Sequence, residues 1–207
     1  MISELTVDAC ERVAELHIQN LRTRYVGYVG QRMLLLYYSN IVDSVGGKCF
    51  VADIDGSIEG FVCGIWDQDA VRAGLRKRMW PSLSFWGAAQ LIVKPKSIIR
   101  IVRDYLRFEP LALWMKGGYE LRPIVVSAKA RGTGLATMLL DNLMVHAGSI
   151  GYDNVFLYCE VDNWRAKAFY QKTGFIEMSR VLRGGINYSI FERRIETHQP
   201  PLVHTGQ

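Results

Sequence analysis

No two cysteines in this chain of 207 residues form a C-x-x-C pair: Cys10, Cys49, Cys63 and Cys159 stand singly. That spacing argues against a zinc ribbon and against a thioredoxin-type redox motif. Buried core thiols in a reducing compartment are expected ahead of disulfides. The N-terminal stretch MISELTVDACERVAEL lacks an apolar core and carries early acids, so it is not read as a secretory signal. Long hydrophobic runs are missing too. The longest uncharged, apolar-rich one, Leu83–Val93, is too short to span a bilayer. A cytoplasmic protein is the expectation. No internal repeat is visible.

What the chain has is an ordinary globular composition, 49% hydrophobic, enough for a real core. Its length suits one domain with an insertion. The net charge of +5 points to an anionic partner without saying which kind. That charge is unevenly placed. Residues 70–108 hold nine basic residues (Arg72, Arg76, Lys77, Arg78, Lys94, Lys96, Arg100, Arg103 and Arg107) against one acid, Asp104. Their net +8 leaves the rest of the chain acidic, at −3.

Along the chain, residues 2–5 read as a short strand. Thr6 is a plausible N-cap, with Ala9, Val13, Leu16 and Leu21 on one helical face. RYVGYVGQ breaks the pattern, and RMLLLYYSNIVDS resumes as a second helix ending before Gly46-Gly47. KCFVADIDGSIEGFVCGIW is a hairpin turning at Asp55-Gly56. The basic segment is helical in texture, interrupted by Pro81 and Pro95. YELRPIVVS is a strand, ARGTGLATMLLDNL a glycine turn followed by a helix to about Gly148, and NVFLYCEV a strand. Asn163 caps a helix through Thr173 that Gly174 stops, and two strands meet at Gly184-Gly185. The predicted order is β-α-α-β-β-(helical insert)-β-α-β-α-β-β, an α/β chain with mixed strand directions. One domain covers 1–196 with the insert at about 67–118, and 197–207 is expected to be disordered.

The glycine turn carries the chemistry. A strand, two glycines and a helix start together offer free N–H groups to an anion. A Walker A loop would need Gly-Lys-Ser/Thr, and GTGLAT has no lysine. A G-x-G-x-x-G dinucleotide fingerprint fails at Thr137. A lone G-x-G is also compatible with a plain flexible turn. The third pattern is R-x-x-G-x-A, met by Arg131, Gly134 and Ala136.

That pattern resembles the pyrophosphate-binding signature of the GNAT superfamily, the acyl-CoA-dependent N-acyltransferases. Around it, YELRPIVV resembles the family's fourth strand. NVFLYCEVDNWRAKAFYQKTGF resembles its fifth strand, N-x-x-A-x-x-x-Y helix and terminal Gly-Phe. The likeness covers residues 119–176. It implies a mixed, splayed sheet flanked by helices and an acetyl-CoA cosubstrate. Its pyrophosphate would lie on the amides of Arg131, Gly132, Thr133, Gly134, Leu135 and Ala136. It also implies a bulged fourth strand, which Pro123 suits because it has no N–H for the ladder. The oxyanion donor would be the backbone N–H of Val125 or Val126. Ala166 and Phe169 would line the cofactor cleft, Asn163 would hydrogen-bond the cofactor, and Tyr170 would protonate the departing sulfur. Glu120 has two readings side by side: general base, or salt-bridge partner of Arg122 two residues along. Glu160 is the reserve base. His17 and His146 are read as structural. Trp80, Trp86 and Trp114 fall in or near the insert, as packing or as a substrate wall.

The function implied is direct transfer of an acetyl group to a primary amine, with no metal and no cysteine nucleophile. An amino sugar, or a nucleotide-linked one, would suit the basic insert. Peripheral membrane contact through that insert is a further expectation, and nucleic acid is not. The rival is a non-catalytic acyl-CoA-binding module docking through the insert.

Overall fold

The computed structural model describes residues 1–21, 26–82, 117–183 and 185–195, with backbone alone for 26–30, 79–82 and 183. The expectations for the tail, for the Trp80 side chain, for Trp86 and Trp114, for Pro95 and for the insert beyond Ser82 lie outside what is described.

Strand β1 (Ile2–Glu4) leads through a 3-10 turn at Val7–Ala9 into α1 (Cys10–Asn20). Thr6 does sit at the turn's N-cap, yet its side chain makes no capping bond. Helix α2 (Val26–Asp43) begins earlier than the sequence pattern suggests and includes Gly27 and Gly30. Glycine's cost of about 1 kcal/mol per residue is a weak prior against a helix of this length. Strands β2 (Gly47–Ile54) and β3 (Ser57–Ile65) form the expected hairpin. Asp55 and Gly56 both have positive φ, 53° and 78°, as a type I′ turn demands. Helix α3 (Gln68–Ser82) follows and runs through Pro81 rather than stopping there. Then come β4 (Tyr119–Val126), α4 (Leu135–Ser149), β5 (Asn154–Glu160), α5 (Trp164–Lys172), β6 (Ile176–Arg183) and β7 (Ile186–Arg194). Helix α5 closes as predicted: Gly174 has φ 86°, and the Phe175 N–H reaches back to the Tyr170 carbonyl at 2.9 Å.

One seven-stranded sheet results, in the order β1-β2-β3-β4-β5-β7-β6. All pairings are antiparallel except β4 with β5. One core lies between the sheet and α1 and α2, around Val13, Tyr38, Ile41 and Phe61. The other lies under α4, which buries Leu135, Leu139, Leu140 and Leu143, and takes in Tyr170, Phe175 and Phe191. Each fully buried leucine contributes roughly 1.5–3 kcal/mol.

The cysteine expectation is corrected in half. Cys10 and Cys159 are free and buried, but Cys49 and Cys63 are joined by a disulfide. A bulge explains why. Ile54 pairs with Ser57 and Asp53 with Ile58, but Ala52 pairs with Gly60, so Glu59 is an extra residue in β3. The one-residue shift sets Cys49 directly opposite Cys63, with Cα atoms 4.1 Å apart. Without it Cys49 would face Val62. No helix among the described residues is long and apolar enough to cross a membrane.

Candidate active site

Three local features converge where β4 and β5 end. The first is a second bulge. Val62 pairs with Ile124 and Gly64 with Leu121, so Arg122 and Pro123 together oppose Cys63. Proline has no N–H to lose there, and the bulge reverses the strand's phase. Before it Tyr119 and Leu121 face the α4 core; after it Ile124 and Val126 do, while Val125 enters the α1–α2 core.

The second feature is an opening in the sheet. Parallel pairing of β4 with β5 is confined to Tyr119 with Val155 and Glu120 with Phe156. Beyond that, β4 stays with β3 up to Val126, and β5 stays with β7 up to Glu160. The two strands therefore part towards their C-terminal ends. The Ser127 N–H donates to the Glu59 carbonyl at 2.8 Å. By alternation the Val125 N–H also points to β3, and the Val126 N–H points to the opposite edge, at the opening.

The third feature is the glycine turn. Ser127 caps a 3-10 turn at Ala128–Ala130, accepting from the Ala130 N–H. Gly132 and Gly134 then take φ of 83° and 87°, conformations that side chains other than glycine rarely adopt. A Cβ at either position would meet nothing within 4 Å, so this face of the loop is open. Gly134 is the N-cap of α4, no side chain caps that end, and no acid stands in the first turn. The first-turn amides, from Leu135 and Ala136 onward, are thus available to an anion with the helix dipole behind them. Thr133 Oγ1 donates to the Ala130 carbonyl at 2.8 Å, and Arg131 reaches across to Asn20 Oδ1 at the end of α1, also 2.8 Å.

The predicted side chains are placed as follows. Glu120 is 2% exposed and accepts from Arg122 at 3.0 Å and from Gln68 Nε2 at 2.6 Å. Tyr37 of α2 lies against this ion pair, on the sheet face opposite α4. Asn163 is the N-cap of α5, its Oδ1 accepting from the Ala166 N–H at 3.1 Å. Ala166 and Phe169 pack partly buried against the α4 core. Tyr170 is inside that core, its ring between Phe169, Phe175 and Phe191 at centroid distances of 5.4, 5.7 and 6.1 Å. Burial, with the Cys159 thiol nearby as a smaller influence, raises its phenol well above the usual range. Glu120 and Tyr170 therefore lie on opposite faces of the sheet. Glu160 ends β5, opposite Tyr188.

His17 and His146 are both tied to tyrosines. His17 Nδ1 is 2.5 Å from the Tyr38 hydroxyl, and His146 Nδ1 is 3.0 Å from that of Tyr119. The Cys159 thiol is pushed up to about 11 by burial, and burial raises Cys10 as well. Neither supplies a thiolate near neutral pH.

Sequence reasoning missed Gln68, Asn20, Glu59 and Ser127. Gln68 lies 52 residues from Glu120, and Asn20 lies 111 from Arg131, so no local pattern marks them.

Comparison with known proteins agrees with this architecture. Residues 13–175 match the model of the Acetyltransferase (GNAT) family. A mycothiol acetyltransferase from Jonesia denitrificans is 36% identical over 73 residues, which are 33% of this chain and 23% of that protein, so the match spans about a quarter of the relative's length. An N-acetyltransferase from Staphylococcus aureus Mu50 superposes with TM-score 0.60 at 18% identity, over 95% of this chain and 98% of the other. The ribosomal-protein-S18-alanine N-acetyltransferase from Escherichia coli does so with TM-score 0.60 at 14% identity, over 98% and 97%. The family match covers well over half of the sequence, and the opened sheet and glycine turn lie within it: the chain belongs to the Acetyltransferase (GNAT) family.

Proposed function

We propose that this protein moves an acetyl group from acetyl-CoA directly to a primary amine, in a ternary complex. The observation that carries the reading is the parting of β4 from β5 after Glu120 and Phe156, at the same end as the open glycine turn. The residues fit the donor. Its diphosphate matches the amides of residues 131–136, which offer hydrogen bonds without a lysine or a metal. Acetyl-CoA supplies a thioester carbonyl and a thiol leaving group.

The chain's own groups divide the work. The Val126 N–H at the opening stabilises the carbonyl oxygen as it gains charge, a role the Val125 N–H cannot take while it faces β3. Glu120 takes a proton from the acceptor ammonium, and Arg122 and Gln68 hold its carboxylate in place. Tyr170 gives a proton to the sulfur. Asn163, Ala166 and Phe169 form the α5 wall of the cleft. Direct transfer is favoured over an acyl-enzyme because the free cysteines are buried thiols and the other two are joined.

The acceptor we place here is an amine that also carries negative charge, such as an amino sugar or its nucleotide-linked form. The support is the basic segment that opens with α3, where Arg76 and Lys77 are exposed. A screen of anionic and polycationic amines, read by release of free thiol from acetyl-CoA, tests it. Turnover confined to polycations would overturn the acceptor class.

The loop has its own test. Acetyl-CoA should raise the melting temperature of the wild type. Gly134→Glu sets a bulky anion at a φ of 87° and should abolish that rise, whereas Gly134→Asn, which tolerates the conformation, should keep most of it. An undiminished rise in Gly134→Glu would remove the diphosphate from this loop.

A further inference from the structure

Glu59 is an unusual residue to find beside a loop read as an anion site. It is the extra residue of the β3 bulge, left between the Asp53–Ile58 and Ala52–Gly60 pairs. Bulges re-aim side chains, and this one turns a carboxylate that is only 4% exposed towards the start of the glycine loop. One oxygen accepts from Ser127 Oγ at 2.5 Å, and the other meets Lys129 Nζ at 2.6 Å. The carbonyl of the same residue takes the Ser127 N–H at 2.8 Å. Ser127 Oγ in turn accepts from the Ala130 N–H at 3.3 Å, closing the 3-10 turn from which Arg131 and Gly132 depart. A single bulged residue thus fixes where the loop leaves the sheet.

An uncompensated carboxylate here would repel a diphosphate. Lys129 neutralises it, and the bonds from Lys129, Ser127 and Ser57 hold it far below the usual carboxylate range, at about 2. Glu59 therefore stays ionised, with its charge spent on the loop's own residues and not presented to the ligand.

We propose that Glu59 is a positioning residue for the donor's diphosphate, acting through Ser127 and Lys129 to set the register of the amides at residues 131–136. This role rests on the reading of the loop given under Proposed function. It predicts a loss confined to the phosphate-bearing part of the donor. Impairing hydrogen bonds to a charged ligand costs about 10–100-fold in affinity.

The test compares two ligands, coenzyme A and pantetheine, which lacks the diphosphate, by calorimetry or NMR titration. Wild type should bind coenzyme A far more tightly than pantetheine. In Glu59→Ala the dissociation constant for coenzyme A should rise about 10–100-fold while that for pantetheine stays within about twofold. Ser127→Ala removes only the bridging hydroxyl and should shift the same ratio in the same direction, which decides the matter if Glu59→Ala fails to fold. Unchanged coenzyme A binding in either variant, or a proportional loss of both ligands, overturns the role of Glu59. Equal binding of the two ligands by wild type would instead overturn the loop reading, and this role with it.

Discussion

The Tyr170 side chain meets three aromatic rings, and the Cys159 thiol lies near its hydroxyl. Burial keeps the phenol protonated across the whole working pH range, so Tyr170 has a proton to give to a departing thiolate, while the same burial makes it a weaker acid than a free phenol. Tyr170→Phe preserves the ring and its packing and deletes only the transferable proton. Acetyl-CoA binding should survive, while kcat falls by about 10²–10⁴-fold if proton donation is fully expressed. A coenzyme A thiol leaves fairly well, so the low end of that range is expected, and less if product release limits the wild type. The measurement pairs kcat with the acetyl-CoA dissociation constant of the same variant. A normal kcat where chemistry limits turnover would sink the acid role, and weakened binding with a normal kcat would assign Tyr170 to packing. Glu120 reads differently at this scale. Both of its sequence readings concern one carboxylate, and the ion pair with Arg122 is compatible with each, because a held carboxylate can still accept a proton from an amine brought against it.

Between elements, two bulges decide most of what is distinctive. The bulge at Arg122-Pro123 was legible, since proline cannot donate to a ladder and its neighbours had to stay in a strand. The bulge at Glu59 was not, since Ser57–Ile65 looks like an uninterrupted strand after an ideal two-residue turn. The disulfide was lost with it, because its pairing exists only in the shifted register. The hairpin turn, the Asn163 cap and the Gly174 stop were legible from local rules; the contacts of Gln68 and Arg131 were not, as they join distant segments. Within the β2–β3 pair the link between Cys49 and Cys63 bridges 14 positions, a span whose closure is worth about 3 kcal/mol in the chain-entropy model. Reduction, or replacing both cysteines with alanine, should lower Tm by roughly 5–10 °C for a chain of this size. Alkylation of the unreduced, denatured protein followed by mass spectrometry should label two thiols, those of Cys10 and Cys159. Labelling of all four would show that the bond does not form.

For the molecule as a whole, mild acid should act first through a histidine and only then through carboxylates. His17 is buried in the α1–α2 core, where burial lowers its pKa from 6.5 to about 4 and its ring nitrogen meets the Tyr38 hydroxyl. Between those two values the unfolded chain binds a proton that the folded chain refuses, so stability falls as pH falls, by about 2 kcal/mol at most from pH 6.5 to 5. Well above pH 6.5 both states are neutral at this site and it adds no slope. Glu59 and Glu177 are shifted in the same direction, from 4.5 down to about 2, through hydrogen bonds with Lys129 and Ser127 and with Arg180 and Ser189. What they contribute is complete above pH 4.5 and is lost below it, a second and lower window. His146 is also lowered, chiefly by burial and then by Lys48, and adds a smaller slope in the first window. Thermal melts of wild type and His17→Gln at pH 7 and pH 5 separate these effects. Glutamine can still hydrogen-bond Tyr38 and has nothing to titrate, so the variant's Tm should drop clearly less between the two pH values than the wild type's. Equal drops would assign the acid sensitivity to His146 or to the carboxylates, and the buried His17 would then have no part in it.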